Sequence, residues 1–227
     1  MTKLTSTLLT DDRLQALCQQ GEVIERDERG IKVVRLDNGD FLKIFRARRW
    51  LSGARLYSHA RRFCRNAQRL QTLDIPTVTV KSLHHLSASG HTAVIYQPLT
   101  GQTLRQLMQA ELPRLTALAG ALGKFLAELH DKGIHFHSLH SGNVLLTPDN
   151  RFGLIDISDM TIYPWPLMCH TRLRSFQRLG KYREEMKVLD AAFWQALIQG
   201  YQKTSGHARR CTLLIMAKID YLQQPPV

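Results

Sequence analysis

The feature that most constrains this chain is residues 129–160, LHDKGIHFHSLHSGNVLLTPDNRFGLIDISDM, where short apolar runs alternate with turn signals. Gly133 stops a helix ending at Leu129-His130, and a polar loop then leads to Asn143. Val144-Leu145-Leu146 reads as one short strand and residues 152–155 as a second, with Pro148-Asp149-Asn150 as the turn between them. The second strand delivers Asp156. A loop Asn and a strand-end Asp thirteen positions apart can set an amide oxygen and a carboxylate around one Mg²⁺. That hard ion takes oxygen ligands and few protein groups, which leaves coordination positions for phosphates. The segment has the shape of a catalytic loop.

The 227 residues suffice for one large domain or for two smaller lobes. Against an ordinary apolar share of 44%, the formal net charge of +12 stands out. It implies an anionic partner: a nucleotide, a nucleic acid, acidic lipid headgroups or a phosphorylated saccharide. For any single Lys or Arg the plain alternative is a solvated basic face. Cys18, Cys64, Cys169 and Cys211 lie far apart, with no C-x-x-C spacing and no metal-ligand pattern, and are expected as reduced thiols in a cytosolic protein. Before Asp11-Asp12 there is one Lys and no long apolar core, so a signal peptide is not expected. Apolar runs such as residues 213–217 fall short of the roughly 20 residues a membrane-spanning helix needs, so membrane contact is expected to be peripheral.

Taken in order, residues 11–19 predict a short helix with Leu14, Ala16, Leu17 and Cys18 on its apolar side. Residues 22–27, 31–36 and 41–45 predict strands, and Asn38-Gly39 is a hairpin turn between the last two. In the third strand Phe41, Lys43 and Phe45 share one face, with Leu42 and Ile44 on the other. Lys43 reads either as a phosphate ligand or as an edge-strand Lys snorkelling to water. A helix over residues 54–73 carries Ala60, Phe63, Cys64, Ala67 and Leu70 at helical spacing among many arginines. Residues 77–83 and 92–96 predict two more strands, and residues 104–110 a short helix. Pro113 opens a helix whose Leu115, Leu118, Ala119, Leu122, Phe125, Leu126 and Leu129 form a core stripe. Beyond a Pro- and aromatic-rich segment at residues 163–167, helices are expected over 171–183, 190–201 and 207–222.

The sequence His137-Ser138-Leu139-His140-Ser141-Gly142-Asn143-Val144-Leu145-Leu146 resembles the catalytic loop of the protein-kinase-like superfamily. There an H-x-D-x-x-x-x-N pattern is followed by two short strands and a metal-binding Asp. It is most similar to the H-G-D-L-H-x-G-N form of the lipopolysaccharide core kinases, which act on heptose or Kdo sugars. FLKIFRARRW, RNAQRLQTLDIPTV and RLRSFQRLGKYR resemble their divergent branch, often labelled toluene tolerance proteins. The resemblance implies an α+β, bilobal fold: a small antiparallel β-sheet lobe plus one helix over residues 1–97, and a larger, mainly helical lobe over residues 98–227. That larger lobe would carry the catalytic-type loop 133–143 and the metal-type Asp156.

It further implies ATP and Mg²⁺ as cofactors, with Lys43 on the phosphates, the Gln97 and Leu99 backbone on the adenine edge, and Asn143 and Asp156 on the metal. Ser138, His140, Asn143 and Asp156 occupy the catalytic-type positions, Ser138 standing where the family has its catalytic Asp. His137 or His140 could substitute as base, or His140 could hold the loop by a hydrogen bond. No Glu lies between Asp40 and Glu111 to pair with Lys43, and the first two strands enclose no Gly-rich phosphate loop. A metal site built from His135, His137 and His140 is set aside, because Asn143 and Asp156 already account for the loop. The implied activity is phosphoryl transfer to an envelope saccharide by a cytoplasmic protein with peripheral contact at the inner membrane; the alternative is a pseudokinase in envelope biogenesis or solvent tolerance. Arg46, Arg48, Arg49, Arg55, Arg61, Arg62 and Arg65 would face anionic headgroups, and Arg172, Arg174, Arg178, Lys181 and Arg183 the phosphates of an anionic or lipid-linked acceptor. A nucleic acid is the weaker partner, because no recognition motif accompanies the charge.

Overall fold

Asn38-Gly39 fixes the register of the first part of the chain: Gly39 adopts φ +81°, and the Leu36 N–H bonds the Asp40 carbonyl at 2.8 Å to close the turn. The computed structural model describes residues 6–46, 59–87 and 91–223, with side chains to residue 218. The chain divides between Leu99 and Thr100 into two compact units.

In the first unit the elements are β1 (Ser6–Leu9), α1 (Asp11–Gln20), β2 (Glu22–Asp27), β3 (Gly30–Arg35), β4 (Phe41–Phe45), α2 (His59–Thr72), β5 (Thr79–Leu86) and β6 (Thr92–Gln97). The strands form one sheet in the order β1-β5-β6-β4-β3-β2. Period-2 alternation sorts its two faces. Leu42 packs with Val34 and Ala93, and Leu14, Leu17 and Cys18 of α1 cover that cluster. On the other face Phe45 and Tyr96 meet Phe63 of α2, with ring centroids 5.7 and 5.2 Å apart. The expected helical stripe of α2 is the buried one: Ala60, Phe63, Cys64, Ala67 and Leu70. Thr10 caps α1 by accepting from the Arg13 N–H, satisfying a donor that the helix itself leaves open.

Two details depart from the expected small lobe of antiparallel strands plus one helix. The sheet carries a helix on each face, and β1 pairs with β5 in parallel, Ser6 opposite Leu83 and Leu9 opposite Leu86. The reason is the path of the chain: after β1, α1 carries it across the sheet to β2 at the far edge. No hairpin forces β1 to run antiparallel.

The second unit comprises β7 (Gln102–Thr103), α3 (Leu104–Ala110), α4 (Leu112–Ala117), α5 (Ala119–Asp131), β8 (Ile134–Phe136), β9 (Val144–Leu146), β10 (Phe152–Leu154), β11 (Met160–Ile162), α6 (Cys169–Leu179), α7 (Arg183–Met186), α8 (Ala191–Thr204) and α9 (Gly206–Gln223). The single expected helix after Pro113 is two, because Leu118 leaves helical geometry at φ −94°, ψ 2° and joins α4 to α5. Both still bury the predicted stripe, Leu115 and then Ala119, Leu122, Phe125, Leu126 and Leu129. Thr103 and Gln106 close a capping box over α3, and Asp190 caps α8 by accepting from the Phe193 N–H at 2.8 Å. The core is the α5 and α8 pair, packed backbone to backbone: a Cβ at Gly123 would overlap the Leu197 carbonyl, and one at Gly200 the Gly120 carbonyl.

Arg172 is fully buried and ties this unit together. Its Nε donates to the Leu167 carbonyl at 2.7 Å, one Nη to the Tyr201 hydroxyl at 3.1 Å and the other to Asp131 Oδ1 at 2.6 Å. The expectation that Arg172 faces acceptor phosphates is therefore corrected: its charge is neutralised by Asp131 inside the fold. The reading of four reduced thiols is also corrected. Cys169 at the start of α6 and Cys211 in α9 form a disulfide, their Cα atoms 5.1 Å apart across 42 residues, while Cys18 and Cys64 are free. Linear spacing held no sign of this, since only the packing of α6 on α9 sets the two Cβ vectors face to face. No described helix is long and apolar enough to cross a membrane.

Gly123→Ala is a direct test of the α5–α8 contact. Helix propensity alone would favour Ala by about 1 kcal/mol. The overlap with the Leu197 carbonyl should reverse the sign and destabilise by roughly 1–3 kcal/mol, seen as a lower urea midpoint at unchanged slope.

Candidate functional site

The loop 137–143 is held at both ends by strand pairs. At one end β8 pairs antiparallel with β11, Phe136 opposite Met160, and the His137 N–H extends the ladder to the Asp159 carbonyl at 3.0 Å. At the other end β9 pairs with β10, Val144 opposite Leu154, and the Ile155 N–H bonds the Asn143 carbonyl at 3.1 Å. This second ladder brings Asn143 and Asp156 to the same open end of one hairpin. Asp156 takes φ +51°, a left-handed conformation that Asp tolerates better than most residues, and so turns the chain sharply out of the strand. Gly133 turns the chain into β8 at φ +73°, where a Cβ would overlap the Tyr163 carbonyl.

Within the loop, Asn143 is buried and its Nδ2 donates to the Ser138 carbonyl at 2.9 Å. A carbonyl only accepts, so the amide nitrogen faces Ser138 and the amide oxygen points the other way. That oxygen and the Asp156 carboxylate are the two hard donors expected for Mg²⁺, and the donor set fits an ion that keeps few protein ligands. Among the described residues there is no group of three or more His, Cys, Asp or Glu that could hold a metal.

His140 has two donors against its ring. The Gly142 N–H lies 3.2 Å from Nδ1 and Asn143 Nδ2 lies 3.1 Å from Nε2. A neutral imidazole has one acceptor nitrogen, so one contact is a hydrogen bond, and a protonated ring would make neither. Burial, then the positive charges of Arg105 and Lys181, hold its pKa below the ordinary histidine value. His140 thus serves to hold the loop, with its lone pair occupied. His135 is buried, its ring 4.1 Å from that of His137, and its pKa falls to about 4, mainly through burial and next through His137. His137 itself reaches Thr161 Oγ1 at 3.3 Å.

Three residues that sequence reading passed over brace the loop. The Arg105 N–H bonds the Ser141 carbonyl at 3.1 Å and its Nε bonds Glu185 at 2.8 Å, while the Ser141 hydroxyl also donates to Glu185. The Tyr182 ring stands edge-on to His140 at 5.3 Å and under the Arg105 guanidinium at 5.1 Å. One signal was present: Glu184-Glu185 is the sole acidic pair between Asp159 and Asp190 in a strongly basic stretch.

Lys43, Gln97 and Leu99 belong to the first unit. Lys43 is 7% exposed on β4, a central strand between β3 and β6, which removes the edge-strand reading. Its Nζ lies 5.6 Å from the Phe45 ring centroid and 5.8 Å from that of Phe63, an aromatic setting that favours a cation. Gln97 ends β6 and is exposed, and Leu99 is half-buried outside any regular element. Of the basic residues assigned to headgroups, Arg46 is instead bound to Asp27 at 2.5 Å and to the Ile31 carbonyl at 2.9 Å, clipping the β2–β3 hairpin. Arg48, Arg49 and Arg55 lie outside the described residues. Arg61 and Arg65 are exposed and Arg62 is half-buried on α2. Arg174, Lys181 and Arg183 are exposed, and Arg178 is half-buried beside the loop. No family model matches the chain, and no curated protein matches it.

The histidines beside the loop make stability depend on pH. His130 is fully buried, and burial, with Arg172 next, holds its pKa well below the ordinary 6.5; His135 falls to about 4. Both bind a proton in the unfolded chain near pH 6.5 but not in the fold, so their contribution is complete above pH 6.5 and is lost as pH falls toward 4. Urea midpoints should drop over that window, and His135→Asn should flatten the drop relative to wild type.

Proposed function

We propose that this chain is a divergent, bilobal kinase-like phosphotransferase that uses ATP and Mg²⁺, its acceptor an anionic envelope saccharide or lipid-linked sugar. The observation that carries this reading is the hairpin register that sets Asn143 and Asp156 at one end, with the Asn143 amide nitrogen bound to the Ser138 carbonyl so that the amide oxygen is turned away from it. Mg²⁺ held there would neutralise phosphate charge. Lys43 would take the nucleotide's phosphates, and the backbone of Gln97 and Leu99 the adenine edge. The acceptor hydroxyl oxygen then bonds the terminal phosphorus as the bond to the bridging oxygen breaks. ADP leaves, and the hydroxyl proton passes to solvent or to the transferred phosphate. Such transfer is largely a matter of positioning and charge stabilisation. A general base contributes only a further ~10²- to 10⁴-fold, so a Ser at position 138 is compatible with slow turnover.

A pseudokinase is the second reading, and a specific observation favours it. Ser138 is not a base, and the one lone pair of His140 is taken up within the loop. A cytoplasmic, ATP-using role also stands in tension with the Cys169–Cys211 bond, because disulfides are rare in the cytosol.

Calorimetry of ATP binding separates these cases. Binding that requires Mg²⁺ and weakens at least roughly tenfold in both Lys43→Ala and Asp156→Ala is the expected result. Absence of binding at millimolar MgATP rules out the nucleotide site and the phosphotransferase with it. Binding without turnover on any phosphorylated core saccharide selects the pseudokinase.

A further inference from the structure

Arg174, Arg178 and Lys181 line, together with His137, Ser138 and His140, a half-open cavity of about 380 Å³ within the second unit. Its size falls in the range of small-ligand sites, and none of its lining residues is acidic. The three cations contrast with their neighbours. Arg172 on the same helix is neutralised by Asp131, and Arg105 behind the loop by Glu185. By comparison, Arg178 donates to a neutral group, the His137 carbonyl at 2.5 Å, and Lys181 stands over the Tyr182 ring at 5.3 Å. Among the described residues neither of these two, nor Arg174, pairs with a carboxylate. Positions 174, 177 and 178 share one side of α6 by helical spacing, and Lys181, just past the C-cap Gly180, lines the same cavity. Part of this charge is accounted for by the helix C-terminus, which favours cations by a few tenths to about 1 kcal/mol each. That does not explain why the cations gather in a concavity floored by a hydroxyl and two imidazoles.

We propose that this cavity binds a phosphomonoester group, with Arg174 and Lys181 supplying charge and the Ser138 hydroxyl a neutral hydrogen-bond donor. Phosphate accepts several charge-assisted bonds at once, and the cavity presents guanidinium, ammonium, amide and hydroxyl donors together. A carboxylate at position 138 would put a negative charge among these cations and compete with the ligand. The hydroxyl leaves their charge to be balanced by the ligand. The site goes beyond the nucleotide reading, since it needs neither Mg²⁺ nor turnover.

The test is calorimetry on the full chain at low salt, with glucose 6-phosphate, glucose, inorganic phosphate and MgATP as probes. Arg174→Gln with Lys181→Gln changes two exposed side chains, and a thermal melt checks that the double variant folds. Glucose 6-phosphate should bind at least roughly tenfold more tightly than glucose, and the double variant should lose roughly tenfold. Ser138→Asp should weaken the same probe, while MgATP binding by the double variant stays as in wild type. Inorganic phosphate matching glucose 6-phosphate would support the site and show that the phosphate alone is read. Glucose and glucose 6-phosphate binding alike, or a double variant that binds as wild type, would overturn it. So would MgATP binding lost in the double variant without sugar-phosphate binding, which reassigns the cations to the nucleotide. Sugar-phosphate binding with no MgATP binding would keep this site while removing the phosphotransferase reading.

Discussion

Arg172 carries a full positive charge with no side-chain exposure, and the second unit is arranged so that this charge can be tolerated. Removing a guanidinium from water costs several kcal/mol unless its donors are met and its charge is paired. Asp131 at the end of α5, Tyr201 of α8 and the Leu167 carbonyl meet that demand together. Tyr201, accepting from Arg172, is also hydrogen-bonded to His130 Nδ1 at 2.9 Å, and burial, with the Arg172 charge next, keeps His130 neutral. Burial pushes the Tyr201 hydroxyl up to about 12, which keeps it a donor at any physiological pH. One side chain thus fixes the end of α5, the Pro-rich segment and α6 relative to α8. The Leu167 N–H to His130 carbonyl bond, 2.8 Å, and the Tyr163 N–H to Gly133 carbonyl bond, 2.9 Å, carry that order to the start of the loop.

The loop is braced in a related way, its polar groups met partly from within the loop and partly from other elements. Asn143 is held from inside the loop, Ser141 by Arg105 and Glu185, and His140 by Gly142 or Asn143 with Tyr182 against its ring. Preorganisation of this kind suits a site that works by placing charge. It also sorts the basic residues of α6 and its C-terminal flank. Arg172 serves the core, while Arg174, Arg178 and Lys181 remain at the cavity over the loop. The net charge of +12 is therefore not one uniform basic face but several roles, of which only some are open to a ligand.

Much of the local structure was legible in the sequence. The strands at residues 22–27 and 41–45 and the helix at 104–110 appear with the expected bounds, because turn residues and apolar period mark them from both sides. The apolar faces of α2 and α5 are the buried ones for the same reason. What escaped notice were short strands defined by their partners: β1, β7, β8 and β11 are two to four residues long, and Ile134-His135-Phe136 has no period of its own to read. Asn143 and Asp156 could be paired in advance because a tight hairpin lies between them. Glu185 and Tyr182 could not, because their contact with the loop spans about forty residues of chain.

By itself the sequence determined the order and type of the longer elements, the hairpin that carries Asn143 and Asp156, and the excess of positive charge. Those follow from backbone preference and apolar spacing over a few residues, which act before any distant contact forms. The tertiary structure alone decided which arginine is buried and which faces a cavity, and that Cys169 meets Cys211 while Cys18 and Cys64 do not. It also decided that His140 holds the loop with its lone pair occupied. Each of these depends on which groups lie within a few ångströms after packing. In a basic chain with many similar side chains, residue type alone cannot distinguish an arginine that will find an Asp131 from one that will not.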